Sequence, residues 1–335
     1  MTQTIGPLRL RIEKEKWPLT VPFRITGHTW EFIDVLLVTL EKDGQVGRGE
    51  AVGLYYRGDT AASISRPIEA LRETIEGGIS RDTVQVILPP GGARNALDCA
   101  LWDLEAKLSG RLVWQLAGLE KPHPVLTTLT CGADEPEKMS EAARAYVDAR
   151  AIKIKLTGEP CDPERVRAVR EARPEVWLSV DANQGFTASS FEKILPLLIE
   201  MRVELVEQPF PVGQEALLDG FRSPIPIAAD ESVQGLADIP ALVGRFSAIN
   251  IKLDKCGGLT EGLAMARAAS TLGLEPMVGN MIGTSLAMAP ATLVAQFSRV
   301  VDLDGPLFLA SDRAITVRYA DGHISCPDTL WGNSR

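Results

Sequence analysis

Lysines and carboxylates, rather than histidines or cysteines, follow the apolar segments in the second half of the chain. In AIKIKLTG, Lys153 and Lys155 alternate with apolar residues, so in a strand both ammonium groups point to the same side. The apolar segments that follow end at three carboxylates, Asp181, Glu207 and Asp230. Oxygen ligands without histidine or cysteine suit a hard cation such as Mg²⁺ or Mn²⁺. The pattern therefore predicts a metal site held by these three carboxylates.

A further lysine, Lys255, follows the apolar segment AINIKL and predicts acid–base chemistry together with Lys155. A lysine close to a dication and to a second lysine has a depressed pKa, because like charges disfavour its charged form, and it can then act as a base. A dication that binds a substrate carboxylate acidifies the α-proton and stabilises the enediolate formed on its loss. A substrate between two lysines would lose the proton to one and regain it from the other. The array predicts a 1,1-proton transfer that inverts the α-carbon.

A regular repeat in the chain brings these residues together. From Thr130 onwards, apolar strand-like segments recur about every 25 residues and alternate with helix-like segments such as DPERVRAVREAR. Eight strand–helix units predict a (β/α)₈ barrel over residues 122–315, whereas a doubly wound open sheet, the alternative, usually has fewer. The carboxyl ends of barrel strands form the active site. We therefore expect Lys155 and Lys255 on strands two and six, across the barrel from one another.

The remaining parts of the chain predict a smaller domain beside the barrel. Residues 1–121 contain alternating segments, a turn at Asp43-Gly44 and then two helix-like segments, a pattern that predicts an α+β capping domain. The boundary lies at Lys121-Pro122-His123-Pro124. Residues 316–335 are strand-like again, and we expect them to return to the capping domain. The predicted fold class is α/β, a TIM-like barrel with an N-terminal capping domain.

Composition excludes several classes of function. The net charge of −9 argues against nucleic-acid binding, and no apolar run approaches the roughly 18 residues of a membrane span. Five scattered cysteines without a C-x-x-C pair, and an N-terminus without a signal-peptide pattern, predict a cytoplasmic protein without zinc or disulfides. Paired carboxylates in a barrel also occur in glycosidases. Aromatic residues make up only 6% of the chain, however, and a glycosidase gives the lysines no role.

Four short motifs, in this order and spacing, resemble the muconate-lactonizing-type subgroup of the enolase superfamily: K-I-K, V-D-A-N, V-E-Q-P and A-D-E-S. The likeness extends to RNALDCALWDLEAK in the first domain. Within the subgroup, INIKLDKCGGLTEGL and DLDGP resemble the dipeptide epimerases. In that family, a D-x-D motif on the eighth strand binds the α-ammonium group of a dipeptide. Asp302 and Asp304 match this motif, and strand alternation predicts that both face the same side.

The resemblance implies a role for each candidate residue. It implies that Mg²⁺, or Mn²⁺ in its place, is held by Asp181, Glu207 and Asp230. It implies that the acid–base pair consists of Lys155 and Lys255. It implies that substrate is contacted by Thr130, Lys153, Asn280, Asp302 and Asp304.

The activity implied is that of an isomerase, a Mg²⁺-dependent dipeptide epimerase that inverts the second residue of L-Ala-D/L-Glu or a related dipeptide. Several members selective for that dipeptide have an arginine in a mobile loop after the first Pro-Phe. Here the loop reads PFRITGHTW, and Gly27 takes the position of that arginine. Arg24, His28 or Arg57 are the alternatives for reaching an acidic side chain. An acidic preference would imply a role in the metabolism of cell-wall peptides.

Two alternatives stay open at this stage. The first keeps the metal and the lysines in an o-succinylbenzoate synthase, an N-succinylamino acid racemase or a cycloisomerase. Substrates of those enzymes lack a free ammonium group, so Asp302 and Asp304 would be buried without a partner, which is costly. The second is a non-catalytic dipeptide-binding protein on the same fold. The sequence also leaves open whether copies of the chain form a homo-oligomer.

Overall fold

A three-stranded antiparallel sheet begins the capping domain. The computed structural model describes residues 2, 4–25 and 27–333, so residues 1, 3, 26, 334 and 335 of the predicted domains lie outside the described residues. Strand β1 (Arg9–Ile25) pairs with β2 (His28–Lys42), which pairs with β3 (Gln45–Ala51). Asp43 and Gly44 join β2 to β3 with φ angles of 50° and 76°. Two consecutive positive φ angles are typical of a tight hairpin turn, which confirms the predicted turn.

Helices cover one side of this sheet. Their bounds are α1 (Ala61–Ala70), α2 (Arg72–Gly77), α3 (Arg81–Ile87), α4 (Gly92–Ser109) and α5 (Val113–Leu116). Helix α4 lies so close to β3 that a Cβ atom on Gly47 or Gly49 would overlap the backbone of Ala100 or Ala96. Only glycine permits this approach. The contact buries apolar residues of β2 and α4 in one cluster, so the helix and the sheet form a single unit.

The second part of the chain forms a parallel barrel. After β4 (Val125–Leu126), the described residues contain an eight-stranded sheet in which successive strands are neighbours. Its strands are β5 (Thr128–Cys131), β6 (Ala151–Lys155), β7 (Trp177–Asp181), β8 (Leu205–Glu207), β9 (Ile227–Ala229), β10 (Ala248–Ile251), β11 (Glu275–Val278) and β12 (Val300–Val301). Thr128 Oγ1 donates a hydrogen bond to the carboxylate of Asp302, directly after β12, and so connects the first strand to the last. The predicted barrel is confirmed.

Helices surround the strands, although the units are less uniform than the sequence suggests. Their bounds are α6 (Pro136–Ala145), α7 (Asp162–Ala172), α8 (Ala188–Glu200), α9 (Ile239–Leu242), α10 (Leu253–Cys256), α11 (Leu259–Thr271) and α12 (Ser285–Val294). Only short helical turns follow β8 and β9, at Glu215–Leu218 and in α9. On β6, Ile152 and Ile154 pack towards the helices, so the alternating lysines point into the barrel.

The last residues contact both parts of the fold. Strands β13 (Arg318–Ala320) and β14 (His323–Ser325) form a hairpin that pairs with β4, at the entry to the barrel. Further on, the indole of Trp331 donates to the carbonyl of Arg48 on β3, and the amide of Gly332 donates to Asp103 on α4. The strand-like part of this segment therefore lies against the barrel, and only its end reaches the capping domain. Among the described residues, no helix combines the length and the apolar character needed to cross a bilayer.

Candidate active site

Three carboxylates converge at the carboxyl ends of adjacent barrel strands. Asp181 ends β7, Glu207 ends β8, and Asp230 directly follows β9. All three are buried, and one oxygen of each lies within 4.8 Å of the others. Burial and the charge of Asp181 raise the pKa of Glu207 to about 7. Although burial opposes it, the ammonium groups of Lys155 and Lys153 lower the pKa of Asp181 to about 2. Buried oxygen donors at this spacing fit a hard dication.

Lys153 balances part of this negative charge from inside the barrel. Its Nζ lies 2.7 Å from Glu207 Oε2, 2.8 Å from Asp302 Oδ2 and 3.1 Å from Asp181 Oδ2. The side chain is 1% exposed. Burial alone would lower its pKa, but the three carboxylates outweigh burial and hold the pKa well above the usual value. Lys153 is therefore a permanently charged group that connects Asp302 to the carboxylate cluster.

Two other ammonium groups lie at opposite ends of the carboxylate cluster. Lys155 Nζ lies 2.6 Å from Asp181 Oδ2, and Lys252 Nζ lies 2.6 Å from Asp230 Oδ2. Asp181 and Asp230 flank Glu207, because β7, β8 and β9 are neighbours in this order. Both lysines line the same cavity. A ligand held over the carboxylates would thus have an amine on either side.

The cavity also receives four of the five residues predicted to contact substrate, all except Lys153. It is lined by Thr130, Asn280, Asp302 and Asp304 among others. Asp302 Oδ1 accepts a hydrogen bond from Thr128 Oγ1 (2.8 Å), and Asp304 Oδ2 accepts one from the amide of Thr130 (2.7 Å). Burial and the charge of Asp302 raise the pKa of Asp304 to about 7. A cationic group in the cavity would relieve this crowding of negative charge.

Both aspartates lie beyond the last barrel strand rather than on it. Strand β12 ends at Val301, and Asp304 precedes a helical turn, Gly305–Phe308. Strand alternation therefore does not place Asp302 and Asp304 on one face, and that part of the prediction is wrong. The chain past β12 brings both side chains to the cavity instead. Asn280 Nδ2 donates to the carbonyl of Asp302 (2.5 Å), which fixes the first of the two.

Aromatic side chains of the capping domain form the outer wall of the cavity. Phe23, Trp30, Tyr55 and Tyr56 line it, and Phe23 packs against Phe308 of the barrel with ring centroids 4.7 Å apart. Trp30 and Tyr55 meet edge to face at 5.1 Å. Ring packing thus joins the two domains along the cavity that both lysines line.

None of the basic residues considered for an acidic substrate side chain lines this cavity. Gly27 occupies the turn between β1 and β2 with a φ of 73°, and no atom lies within 4 Å of where its Cβ would be. Arg24 and Arg57 are exposed, and His28 stacks on Trp30 with centroids 5.5 Å apart. Within the described residues, the cavity lining contains lysines but no arginine.

Comparison with known proteins assigns both parts of the chain to one superfamily. The family described as the mandelate racemase/muconate lactonizing enzyme N-terminal domain matches residues 8–118, and the family described as enolase C-terminal domain-like matches residues 138–331. This chain belongs to the enolase superfamily.

Curated relatives in the superfamily carry two kinds of name. The L-Ala-D/L-Glu epimerase of Escherichia coli K12 is 38% identical over 94% of this chain and 98% of that protein. The N-acetyl-D-glutamate racemase of a Pseudoalteromonas species is 42% identical over 74% of this chain and 78% of that protein. Both names describe inversion of an α-carbon, on a dipeptide in one case and on an N-acylated amino acid in the other.

Two solved structures that are similar to this chain each contain a bound dipeptide. A structure from Agrobacterium tumefaciens, described as an enolase family member with homology to dipeptide epimerases, contains sodium and L-Ala-L-Glu. It is 40% identical, covers 97% of this chain and all of its own, and superposes with a TM-score of 0.94. The dipeptide epimerase of Methylococcus capsulatus, in complex with Mg and L-Arg-D-Lys, is 31% identical over 96% of this chain and 98% of its own, with a TM-score of 0.89.

In this enolase superfamily chain, Lys255 lies elsewhere than the sequence suggests. Strand β10 ends at Ile251, and Lys255 belongs to the one-turn helix α10, so its predicted position on strand six is wrong. Its ammonium group is buried and does not line the cavity. The lysine that continues the alternation of β10 is Lys252, on the same side as Asn250. That alternation in A-I-N-I-K was the signal that sequence reasoning missed.

Further polar residues around the carboxylates were also missed. Asn250 Nδ2 donates to Glu207 Oε1 (2.7 Å), and Gln208 Oε1 accepts a hydrogen bond from the amide of Asp230 (2.9 Å). Asn183 and Glu231 line the cavity, and the Asn183 amide donates to Glu231 at 3.3 Å. Three of these four stand inside the motifs V-D-A-N, V-E-Q-P and A-D-E-S. Their positions next to the carboxylates could have marked them as part of the site.

Proposed function

We propose that this chain is a Mg²⁺-dependent dipeptide epimerase that inverts the α-carbon of the second residue, with Lys155 and Lys252 as its two bases. The observation that carries the proposal is the placement of these two lysines at opposite ends of one carboxylate cluster, in one cavity. The assignment replaces Lys255, whose amine lies outside the cavity lining. The dipeptide epimerases among the relatives and the solved structures support the same reaction class.

Asp181, Glu207 and Asp230 would hold the metal ion, since they offer only oxygen donors and lie within reach of one ion. When bound, Mg²⁺ would neutralise the substrate carboxylate and the negative charge that develops on it as the α-proton leaves. Mn²⁺ prefers the same ligands and should replace it.

The protein's own residues would move the proton. With the substrate carboxylate at the carboxylate cluster, its α-carbon lies between Lys155 and Lys252. One lysine, as the free amine, takes the α-proton, and the other, as the ammonium, donates a proton to the opposite face. The reverse reaction exchanges their roles. Lys153 does not line the cavity, so we assign it to charge balance and to the orientation of Asp302 rather than to direct contact with the reacting carbon.

Asp302 and Asp304 would recognise the free α-ammonium group of the first residue. Their carboxylates line the cavity, and the raised pKa of Asp304 reflects burial beside a like charge. A substrate cation placed between them would stabilise the ionised form of both. Thr130 and Asn280 would fix the two aspartates through the hydrogen bonds to Asp304 and to the Asp302 carbonyl.

The test is deuterium exchange in D₂O with Mg²⁺. L-Ala-L-Glu is the first substrate, and a panel of dipeptides with apolar and basic second residues follows, because the described cavity lining has no arginine. We expect deuterium only at the α-carbon of the second residue. Lys155→Ala and Lys252→Ala should each lose epimerisation, while each retains exchange of the one epimer whose proton faces the remaining lysine. No exchange with any dipeptide by the metal-loaded protein would sink the proposal.

A second candidate is racemisation of an N-acylated amino acid, favoured by the 42% identity to the N-acetyl-D-glutamate racemase. It would use the same lysines and metal ligands. Such a substrate brings no cation to Asp302 and Asp304 beyond Lys153, which already pairs with Asp302 at 2.8 Å, and buried negative charge without a counter-ion is costly. Exchange into N-acetyl-D-glutamate but not into dipeptides would establish this candidate. Activity that survives Asp302→Asn and Asp304→Asn together would point the same way.

We also propose that the protein acts in the cytoplasm on dipeptides derived from the cell wall. The unpaired cysteines among the described residues support a reducing compartment. Cell fractionation that places the protein outside the cytoplasm, or a deletion strain with unchanged dipeptide pools, would contradict this.

A homo-oligomer would appear as a mass above 36.3 kDa in light scattering.

A further inference from the structure

We propose that Lys255 is a positioning residue that fixes Asp230 for metal binding from outside the cavity. This rests on the proposed function in one respect, the assignment of Asp230 as a metal ligand. The lysine is 1% exposed, and its Nζ donates to Asp230 Oδ1 (2.5 Å), to the Asp230 carbonyl (2.5 Å) and to the Asn250 carbonyl (2.9 Å). An ammonium group has three donors, and all three are used.

Contact with two atoms of the same residue determines the orientation of Asp230. Asp230 follows β9 in a bend, so the ladder of the sheet does not hold it. Lys255 bridges its carbonyl and its Oδ1, and this closes a small ring that restricts the side-chain torsions. The other oxygen, Oδ2, faces Lys252 at 2.6 Å. Lys255 thereby anchors one oxygen and leaves the other for the cavity.

The third hydrogen bond of Lys255 connects it to a second carboxylate. Its acceptor is the carbonyl of Asn250, and the side chain of the same asparagine donates to Glu207 Oε1 at 2.7 Å. Lys255 thus holds Asp230 directly. Through the carbonyl of Asn250 it also holds β10, the strand whose Asn250 side chain bonds to Glu207. Hydrogen-bond partners of metal ligands fix the ligand geometry, and their loss typically weakens metal binding about 10- to 100-fold.

Contacts between the two domains hold Lys255 in place. Arg94 on α4 donates to the carbonyl of Cys256 at 2.6 Å, next to Lys255. Asp254 accepts hydrogen bonds from the amides of Val52 (2.9 Å) and Gly53 (3.2 Å) in the capping domain. The one-turn helix that carries Lys255 is therefore attached to the capping domain on both sides of the lysine.

A positioning role and a simple charge effect predict opposite results. Removal of a cation near the carboxylates reduces repulsion of a metal ion, so the loss of charge alone would tighten binding. Loss of the contacts to Asp230 would instead let the ligand rotate away and weaken binding. Lys252 offers a matched control, because it contacts the same carboxylate at nearly the same distance but makes no recorded bond to the Asp230 backbone.

The experiment measures Mn²⁺ affinity by electron paramagnetic resonance of the free ion, without substrate. For Lys255→Met we expect a dissociation constant at least about tenfold above that of the wild type, whereas Lys252→Met should bind as tightly as the wild type or more tightly. Equal or tighter binding by Lys255→Met would overturn the inference. If the wild type itself binds no Mn²⁺, the metal site of the proposed function fails, which is a different outcome.

A second variant covers the case in which Lys255→Met does not fold. Lys255→Arg keeps the charge but cannot direct three donors at the same acceptors, so a positioning role predicts at least about threefold weaker Mn²⁺ binding by the folded protein. A charge effect predicts no change, and an unchanged dissociation constant would refute the inference. A purely structural role would lower the unfolding temperature and leave the Mn²⁺ affinity of the folded fraction unaltered.

Discussion

Replacement of Lys153 by methionine should strongly destabilise the folded protein when no metal is present. The lysine is 1% exposed, and its Nζ lies within 3.1 Å of oxygens of Glu207, Asp302 and Asp181. Methionine fills a similar volume but leaves these carboxylates without their shared cation. Removal of one partner of a buried ion pair costs about 3–5 kcal/mol, because the remaining charge stays buried. Three carboxylates lose the same partner here, so we expect a loss of at least about 3 kcal/mol.

Urea denaturation in the presence of EDTA measures this loss. Lys193→Met is the control, because Lys193 is an exposed residue of α8. Lysine and methionine also have similar helix propensities, so the substitution should not disturb the helix. Its free energy of unfolding should stay within about 0.5 kcal/mol of the wild-type value. If Lys153→Met also stayed within about 1 kcal/mol, which is well below the cost of an unpaired buried charge, Lys153 would not balance the cluster.

Metal should restore part of the lost stability. A ligand that binds only the folded state, at about 100 times its dissociation constant, stabilises a protein by about 2.7 kcal/mol. The Lys153→Met variant carries one more unbalanced negative charge beside the proposed metal ligands, so Mg²⁺ should stabilise it by more than it stabilises the wild type. An equal or smaller gain would mean that Lys153 and the ion do not neutralise the same carboxylates.

Three further predictions concern packing, specificity and pH. Gly49→Ala should cost about 1–3 kcal/mol in urea denaturation because its Cβ would overlap the backbone of α4 at Ala96, whereas Gly77→Ala, with open space around it, should be neutral or slightly stabilising. Asp304→Asn should raise KM for L-Ala-L-Glu but not for its N-acetylated form, and an equal effect on both would exclude ammonium recognition. Burial raises the pKa of Asp98 from its ordinary value of 3.8 to about 6, so its contribution to stability is complete below about pH 3.8 and is lost as the pH rises through 6. Relative to Asp98→Asn, the wild type should therefore lose about 1 kcal/mol of unfolding free energy between pH 5 and pH 7.5, and no such loss would contradict the assignment.

The sequence predicted the elements that depend on local periodicity. The repeat of about 25 residues indicated the barrel, and the ends of its strands indicated Asp181, Glu207 and Asp230, because strand ends meet at one mouth whatever the loops do. The pattern I-K-L-D-K continues an apolar segment and so predicts that Lys255 lies on a strand. The chain leaves the strand after Ile251, and in the helical turn that follows, Asp254 accepts hydrogen bonds from amides of the capping domain. That contact joins residues about 200 positions apart, and no local pattern reveals it.

The balance of charge at the barrel mouth connects the metal to the ionisation of the site. When all groups are ionised, its six carboxylates outnumber its four ammonium groups by two. The carboxylates are those of Asp181, Glu207, Asp230, Glu231, Asp302 and Asp304, and the ammonium groups are those of Lys153, Lys155, Lys252 and Lys255. Burial and neighbouring carboxylates raise the pKa of Glu207, of Glu231 and of Asp304 to about 7, so protons cover part of this surplus without metal. A dication would displace those protons, because it supplies the missing charge. Calorimetric titration with Mg²⁺ at pH 6.5, in buffers of different ionisation enthalpy, should therefore show proton release. Binding without release would mean that the carboxylates are already ionised, and that protons do not cover the surplus of negative charge.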